Sequence, residues 1–339
     1  MSRSSAEPIL VEVLRGGMVE SRHHGAYAVV DAAGRVVQAQ GDIERPVYPR
    51  SAVKPLQALP LIETGAADHF GLGFKEIALA CSSHNGTVPV VAAVETWLRR
   101  IRLGADDLEC GADTPSDIAA AQALVRAGEP PSALHNNCSG KHAGFLSTAR
   151  HCGEPTRGYI HRKHPVQQRV EAALASMAGL DLERAPHGID GCGIPVIGIP
   201  LKALARAMAR LADPAGLAAE RAKAARRILD AMAVEYAVVA GASRFTREVM
   251  HVATATVRLK PGAEGVFCAA LPQHGLGVAL KIGDGAGRAA DVAMGALLVK
   301  LGMIDAAQAA ALAGVLRPPV KNVVGKIVGE LRPVEAAFQ

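Results

Sequence analysis

The feature that most constrains the fold of this chain is the placement of its β-prone segments at the two ends, around a long helical middle. Near the start, Ile9 to Leu14 is β-rich, Gly16-Gly17 reads as a turn, and Ala26 to Asp31 leads through Gly34 into Arg35 to Ala39 as a hairpin. Strand character returns at His251 to Leu259, Val266 to Leu271 and Gly277 to Ile282. The middle is helical. Ser116-Asp117 offers an N-cap for a helix ending at Gly128, Pro165 opens one running to about Gly179, and Ala215 to Val239 has the strongest helix propensity. Two closing helices are expected at Arg288 to Leu301 and Ile304 to Ala313, separated by Gly302. Strands so far apart in sequence must pair across the insert, and the short turns within each group favour antiparallel pairing. The spacing therefore predicts an α/β (α+β) fold, in which an antiparallel sheet built from N- and C-terminal strands is flanked by helices and carries an inserted, mainly helical lobe. As one unit over 1–339, it comprises a sheet lobe of approximately 1–50 and 246–339 and a helical lobe of approximately 51–245.

Composition narrows the class. With only 3% aromatic residues, the core must rest on Ala, Leu, Val and Ile. The formal charge of +5 is scattered, and its densest groups, Arg99, Arg100 and Arg102 and then Arg226-Arg227, sit in helical patterns beside acids. Those are solvated helix faces, with no interleaved aromatics to stack on bases, so no nucleic-acid partner is expected. Met1 to Leu14 lacks the basic and apolar segments of an export leader, and no apolar run approaches membrane-spanning length. The six cysteines are widely spaced, with no C-x-x-C pair, and read as reduced thiols or metal ligands. A cytoplasmic enzyme with no membrane partner is the expectation.

Three short motifs occur in order: Ser51-Ala-Val-Lys54, Ser83-His-Asn85 and Lys260-Pro-Gly262. Taken alone, they are better read, in order, as a helix cap with a surface lysine, a polar loop and a turn lysine. Their common order resembles the S-x-x-K, S-x-N, K-x-G series of serine acyl-transferases such as penicillin-binding proteins and class A β-lactamases. A serine opening a helix places a lysine three residues on along the same face, where the amine can take the hydroxyl proton. Pro55 fits if the helix starts one residue after Ser51, and Pro60 then bends or ends it. Free N–H groups at such a helix start suit a developing oxyanion. Lys54 must lose its proton to act as a base, which burial and a neighbouring cation both favour.

A second polar region runs from His135 through Cys138, Lys141 and His142, with Asp190-Gly-Cys192-Gly further on. From chemistry alone, Cys138 and Cys192 suggest a zinc site completed by His135, His142 or Asp190, and equally two buried thiols or a redox pair. Gly283-Asp-Gly285-Ala-Gly287 lacks the nucleotide-binding frame and reads as a turn between strand and helix.

Taken together, five segments resemble the rhizobial-type L-asparaginases of the asparaginase II family: Tyr48 to Pro55, Cys81 to Gly86, Asn137 to Gly144, Asp190 to Pro195 and Gly262 to Val266. The resemblance implies a fold related to serine β-lactamases and glutaminases, and an amidohydrolase that converts L-asparagine to L-aspartate and ammonia. It implies two serine–lysine tandems, Ser51 with Lys54 and Ser83 with Lys260, and a Zn2+ site of Cys138, Lys141 and Cys192 beside Asp190. A lysine ligand must be deprotonated, so occupancy should fall with pH. Ser51 is the favoured nucleophile, forming a β-aspartyl ester while Ser83 and Lys260 relay protons or activate water; the sequence also admits the reverse assignment, with Ser83 attacking. Arg50, Asn85 and Asp190 are the expected substrate contacts, zinc is expected to aid recognition, and the family suggests a homodimer. The alternatives are a glutaminase or another serine acyl-hydrolase on the same scaffold, and a zinc-binding protein without enzymatic activity.

Overall fold

The computed structural model describes residues 7–339, which fall into two compact units. The expected absence of a leader rests partly on residues 1–6, which lie outside the described residues. One unit holds the described residues up to Ala52 together with Ile199–Asp213 and Arg244–Gln339; the other holds Val53–Gly198 and Pro214–Ser243.

The first unit is built on an eight-stranded antiparallel sheet. Its strands are β1 (Ile9–Arg15), β2 (Met18–Asp31), β3 (Val36–Gln40), β4 (Arg258–Pro261), β5 (Val266–Leu271), β6 (Leu276–Ile282), β7 (Pro319–Lys321) and β8 (Ile327–Pro333). The order is β7-β8-β1-β2-β6-β5-β4, with β3 also paired to β2, so N- and C-terminal strands share one sheet as expected. The long β2 joins them, pairing its first half with β1 and its second half with β6 from Gly25↔Ile282 to Asp31↔Leu276. Residues 26–30 and 266–271 are buried at every position, so both faces of the sheet are covered there.

Helix Leu201–Ala212 supplies part of that cover and corrects the expected helical lobe of 51–245. Its buried Leu201, Leu204, Ala205, Met208 and Leu211 form a stripe at helical spacing that packs on β2, β5 and β6. The stripe is legible in sequence, but the surface it covers is not. Helix Gly287–Lys300 also packs on the sheet, against β1, β5, β6 and β8.

Other expectations shift locally. The strand expected from His251 begins only at Arg258, because Arg244–Val252 is helical. Buried Phe245, Thr246, Val249 and Met250 recur on one side of that helix and outweigh the β-branched content of the segment. The long helix expected over 215–239 is interrupted at Glu235, giving Ala219–Val234 and Tyr236–Ala240. The closing helix divides into Ala306–Ala311 and Ala313–Leu316. Strands β7 and β8 were not anticipated. Pro319 and Pro333 obscure them in sequence, yet the sheet order places β7 at an edge, where a missing N–H is tolerated.

In the second unit, residues 139–149 of helix Ser139–His151 are all buried. Helix Phe74–Cys81 packs against it and is itself covered by Ala219–Val234 and Tyr236–Ala240. Trp97 anchors a further helix, its indole N–H donating to Ser147 Oγ at 3.0 Å. Asp117 caps Ile118–Ala127 by accepting from the Ala120 N–H, and Gly128 ends that helix in the left-handed region, as the sequence indicates. Among the described residues, no helix is long and apolar enough to cross a membrane.

Candidate active site

Two prolines shape the segment that carries the first motif. Arg50–Val53 is a 3-10 turn, Lys54–Gln57 is α-helical, and the chain restarts as Leu59–Glu63 with Pro60 in its first turn. The α-helix thus begins at Lys54 itself, later than expected, with Pro55 in its first turn, where no N–H is needed. Ser51 therefore lies in the 3-10 turn, and Lys54 opens the α-helix that follows it. Ser51 is half-buried, and the preceding Arg50 takes a left-handed φ of 51°, unusual for a residue with a side chain. The Ala52 N–H is engaged by Pro49 O at 3.0 Å, so it is not one of the free donors expected at this helix start. Gly262 of the third motif lies against the same turn, where a Cβ would come within 2.7 Å of Pro49 O.

Lys54 is fully buried in the second unit. Its Nζ donates to Ser82 O at 2.6 Å, to Ser83 Oγ at 3.0 Å and to Asn137 O at 3.4 Å. Two of these partners are carbonyls, which only accept. A neutral amine would spend both hydrogens on them and leave its lone pair for the Ser83 hydroxyl. Burial pushes the Lys54 amine below its ordinary value; the Cys138 thiolate opposes that shift and the Lys141 cation reinforces it.

Ser82 ends helix Phe74–Cys81 in extended backbone, and Ser83 follows it in a loop held at several points. The His84 N–H donates to Asn137 O at 3.2 Å, and its Nδ1 accepts from the Gly86 N–H. That leaves the proton on Nε2, which lies 2.7 Å from Ser139 Oγ, and Ser139 in turn donates to Leu134 O. Burial, followed by the nearby Lys54 cation, lowers the His84 pKa to about 4. Sequence reasoning treated His84 as the spacer of S-x-N. Its position between two motif residues was the only available hint that it fastens them. Asn85 accepts from the Asp117 N–H through its carbonyl and from Thr87 Oγ1 through its side chain at 3.4 Å. Lys260, on β4 in the first unit, is fully buried and donates to Pro261 O at 2.8 Å.

Cys138 and Lys141 stand at the start of helix Ser139–His151, and Asp190 and Cys192 lie in the turn between strands His187–Ile189 and Pro195–Ile197. Lys141 Nζ donates to Cys192 Sγ at 3.0 Å, and Cys192 Sγ is 3.8 Å from Asp190 Oδ2. A hydrogen bond from the Cys192 thiol, together with the Lys141 and Lys54 cations, holds the Cys138 thiol well below its usual range despite burial. Cys192 is pushed up by the same pairing and by burial. Burial disfavours the Lys141 cation, but the Cys138 thiolate and Cys192 outweigh it and raise its pKa. Two sulfurs and an amine sharing protons in a buried site form a donor set that suits a thiophilic dication. Among the described residues, no three His, Cys, Asp or Glu side chains converge to hold a metal, so such a site requires Lys141 as a donor. Of the histidines considered as ligands, His135 Nδ1 is engaged with Ser132 and His142 Nδ1 with Tyr159 OH at 2.7 Å, while the buried His142 Nε2 has no hydrogen-bond partner among the described residues.

The family model for L-asparaginase II matches residues 11–333. The chain belongs to the L-asparaginase II family. Membership implies a hydrolase, an L-asparaginase. No curated protein matches the sequence. Solved structures similar to it include a β-lactamase from Mycobacterium bovis, at 17% identity and TM-score 0.40, over 81% of this chain and 94% of that one. Mglu in its native form matches at 15% identity and TM-score 0.46, over 83% of this chain and 65% of that one. Simvastatin synthase from Aspergillus terreus matches at 11% identity and TM-score 0.37, over 76% of this chain and 84% of that one.

Proposed function

We propose that this member of the L-asparaginase II family hydrolyses L-asparagine to L-aspartate and ammonia through a β-aspartyl acyl-enzyme, with Lys54 as the base. The observation that carries the proposal is the set of contacts at Lys54, a buried amine with two carbonyl acceptors and one hydroxyl. In the acylation step, Ser51 Oγ attacks the side-chain amide carbon and its proton passes to the Lys54 side of the site. The amide nitrogen gains a proton and leaves as ammonia, and water then cleaves the ester. Ser83, 3.0 Å from Lys54 Nζ, carries protons between the amine and the reacting groups, and Lys260 assists it. Arg50, Asn85 and Asp190 contact the substrate.

Cys138, Lys141 and Cys192 are the residues that would hold zinc, which when bound supplies a fixed positive charge for substrate recognition. These chain residues orient the start of helix Ser139–His151, whose preceding Asn137 carbonyl receives a Lys54 hydrogen. The described cysteines are all free thiols, which suits a reducing cytoplasm. The enzyme assembles as a homodimer, as the family resemblance suggests. Ammonia release from asparagine and glutamine, each with and without chelator, tests the reading. Asparagine turnover that depends on Lys54 is expected; no amide hydrolysis by metal-replete protein would overturn it.

A further inference from the structure

Lys54, Asn137 and Ser139 restrain one side of the Ser83 loop. On another side stands a residue outside all three motifs. Gly241 follows helix Tyr236–Ala240, which packs on helix Phe74–Cys81, and its backbone meets the Ser83–His84 peptide directly. A Cβ at Gly241 would lie 2.0 Å from Ser83 O, 2.9 Å from Ser83 C and 3.2 Å from His84 Cα. Its backbone, at φ 55° and ψ −121°, also lies where only glycine is comfortable. Space and conformation therefore independently require the missing side chain.

We infer that Gly241 is a positioning residue, a backbone stop that fixes the Ser83 peptide so that Ser83 Oγ meets Lys54 Nζ. The inference rests on the catalytic reading of Ser83 given above. Ordinary contact begins near 3.4 Å, so a methyl group at 241 must push the Ser83 carbonyl away by about 1 Å or more, a displacement that can cost about a hundredfold in rate. The lost step is proton transfer, so kcat should fall while KM for asparagine stays within about threefold.

The test is a kinetic cycle on the full chain with Gly241→Ala, Ser83→Ala and the double variant. Gly241→Ala is expected to lower kcat by about a hundredfold, and to cost nothing further once Ser83 is alanine. If Gly241→Ala does not fold, Val239→Ala decides. Val239 is buried two residues earlier on the supporting helix, and its truncation loosens the stop without a clash. It should lower kcat by about tenfold on the Ser83 background and leave Ser83→Ala unchanged. An equal loss on both backgrounds would show a merely structural role and overturn the inference, as would wild-type kcat in Gly241→Ala or Val239→Ala. Wild-type kcat in Ser83→Ala would instead overturn the catalytic reading of Ser83, and the inference with it.

Discussion

Lys54 Nζ stands 3.0 Å from Ser83 Oγ, a pairing that crosses the two tandems expected from sequence. The lysine that follows Ser51 by three residues is also hydrogen-bonded to the second serine. The remaining contacts of the amine are carbonyls, which cannot take its place as a base. Burial favours the neutral form that this role needs.

Replacing Lys54 with methionine should remove the base while keeping much of the side chain's volume. The expected loss in kcat is about 10²- to 10⁴-fold, the usual range for a general base. Stability should fall by about 1–3 kcal/mol, because the buried Ser82 carbonyl and the Asn137 carbonyl lose the hydrogens that Lys54 donates. Steady-state kinetics with thermal unfolding checks both parts. Activity within tenfold of wild type would contradict the assignment.

His84 links pH to stability. Its folded pKa of about 4 lies below the ordinary 6.5, so the unfolded chain takes up a proton first as pH falls. The stability it contributes is present above pH 6.5 and is lost as pH falls from there towards 4. At 1.36 kcal/mol per unit, the loss approaches about 3 kcal/mol. The geometry gives the same sign: a proton on Nδ1 would confront the Gly86 N–H that now donates to it. Denaturant unfolding at several pH values should show this slope in wild type and a shallower one in His84→Gln.

Metal should follow the Cys138, Lys141 and Cys192 group. Zinc content measured by elemental analysis should fall in Cys192→Ser, which removes the sulfur 3.0 Å from Lys141 Nζ. Because zinc is assigned to recognition, KM for asparagine should rise by about tenfold or more while kcat changes less. Full zinc content in Cys192→Ser would contradict the ligand assignment.

The strands from Ile9–Arg15 through Leu276–Ile282 were legible because β-rich runs, turns and glycines are local signals, whereas Pro319–Lys321 and Ile327–Pro333 were not. Helix Leu201–Ala212 falls within the stretch expected to be helical, but its place in the sheet unit was not legible, since its stripe records only that something is covered. The segment from His251 misled because β-branched residues there follow a helix held by buried Phe245 and Val249. At the site, the residue types were visible in the motifs. The contacts from Lys54 to Ser82 O and Asn137 O were not, because they are made to backbone carbonyls that every residue possesses. Gly241 was invisible for a related reason: its role comes from a missing side chain.

The central claim is an acyl-enzyme on Ser51 that depends on Lys54. Protein mixed with L-asparagine, quenched in acid and digested should show, by peptide mass mapping, a β-aspartyl addition on Ser51. The addition should be absent from Lys54→Met treated in the same way. A β-aspartyl group found on Ser83 instead, or no modified serine during active turnover, would contradict the account.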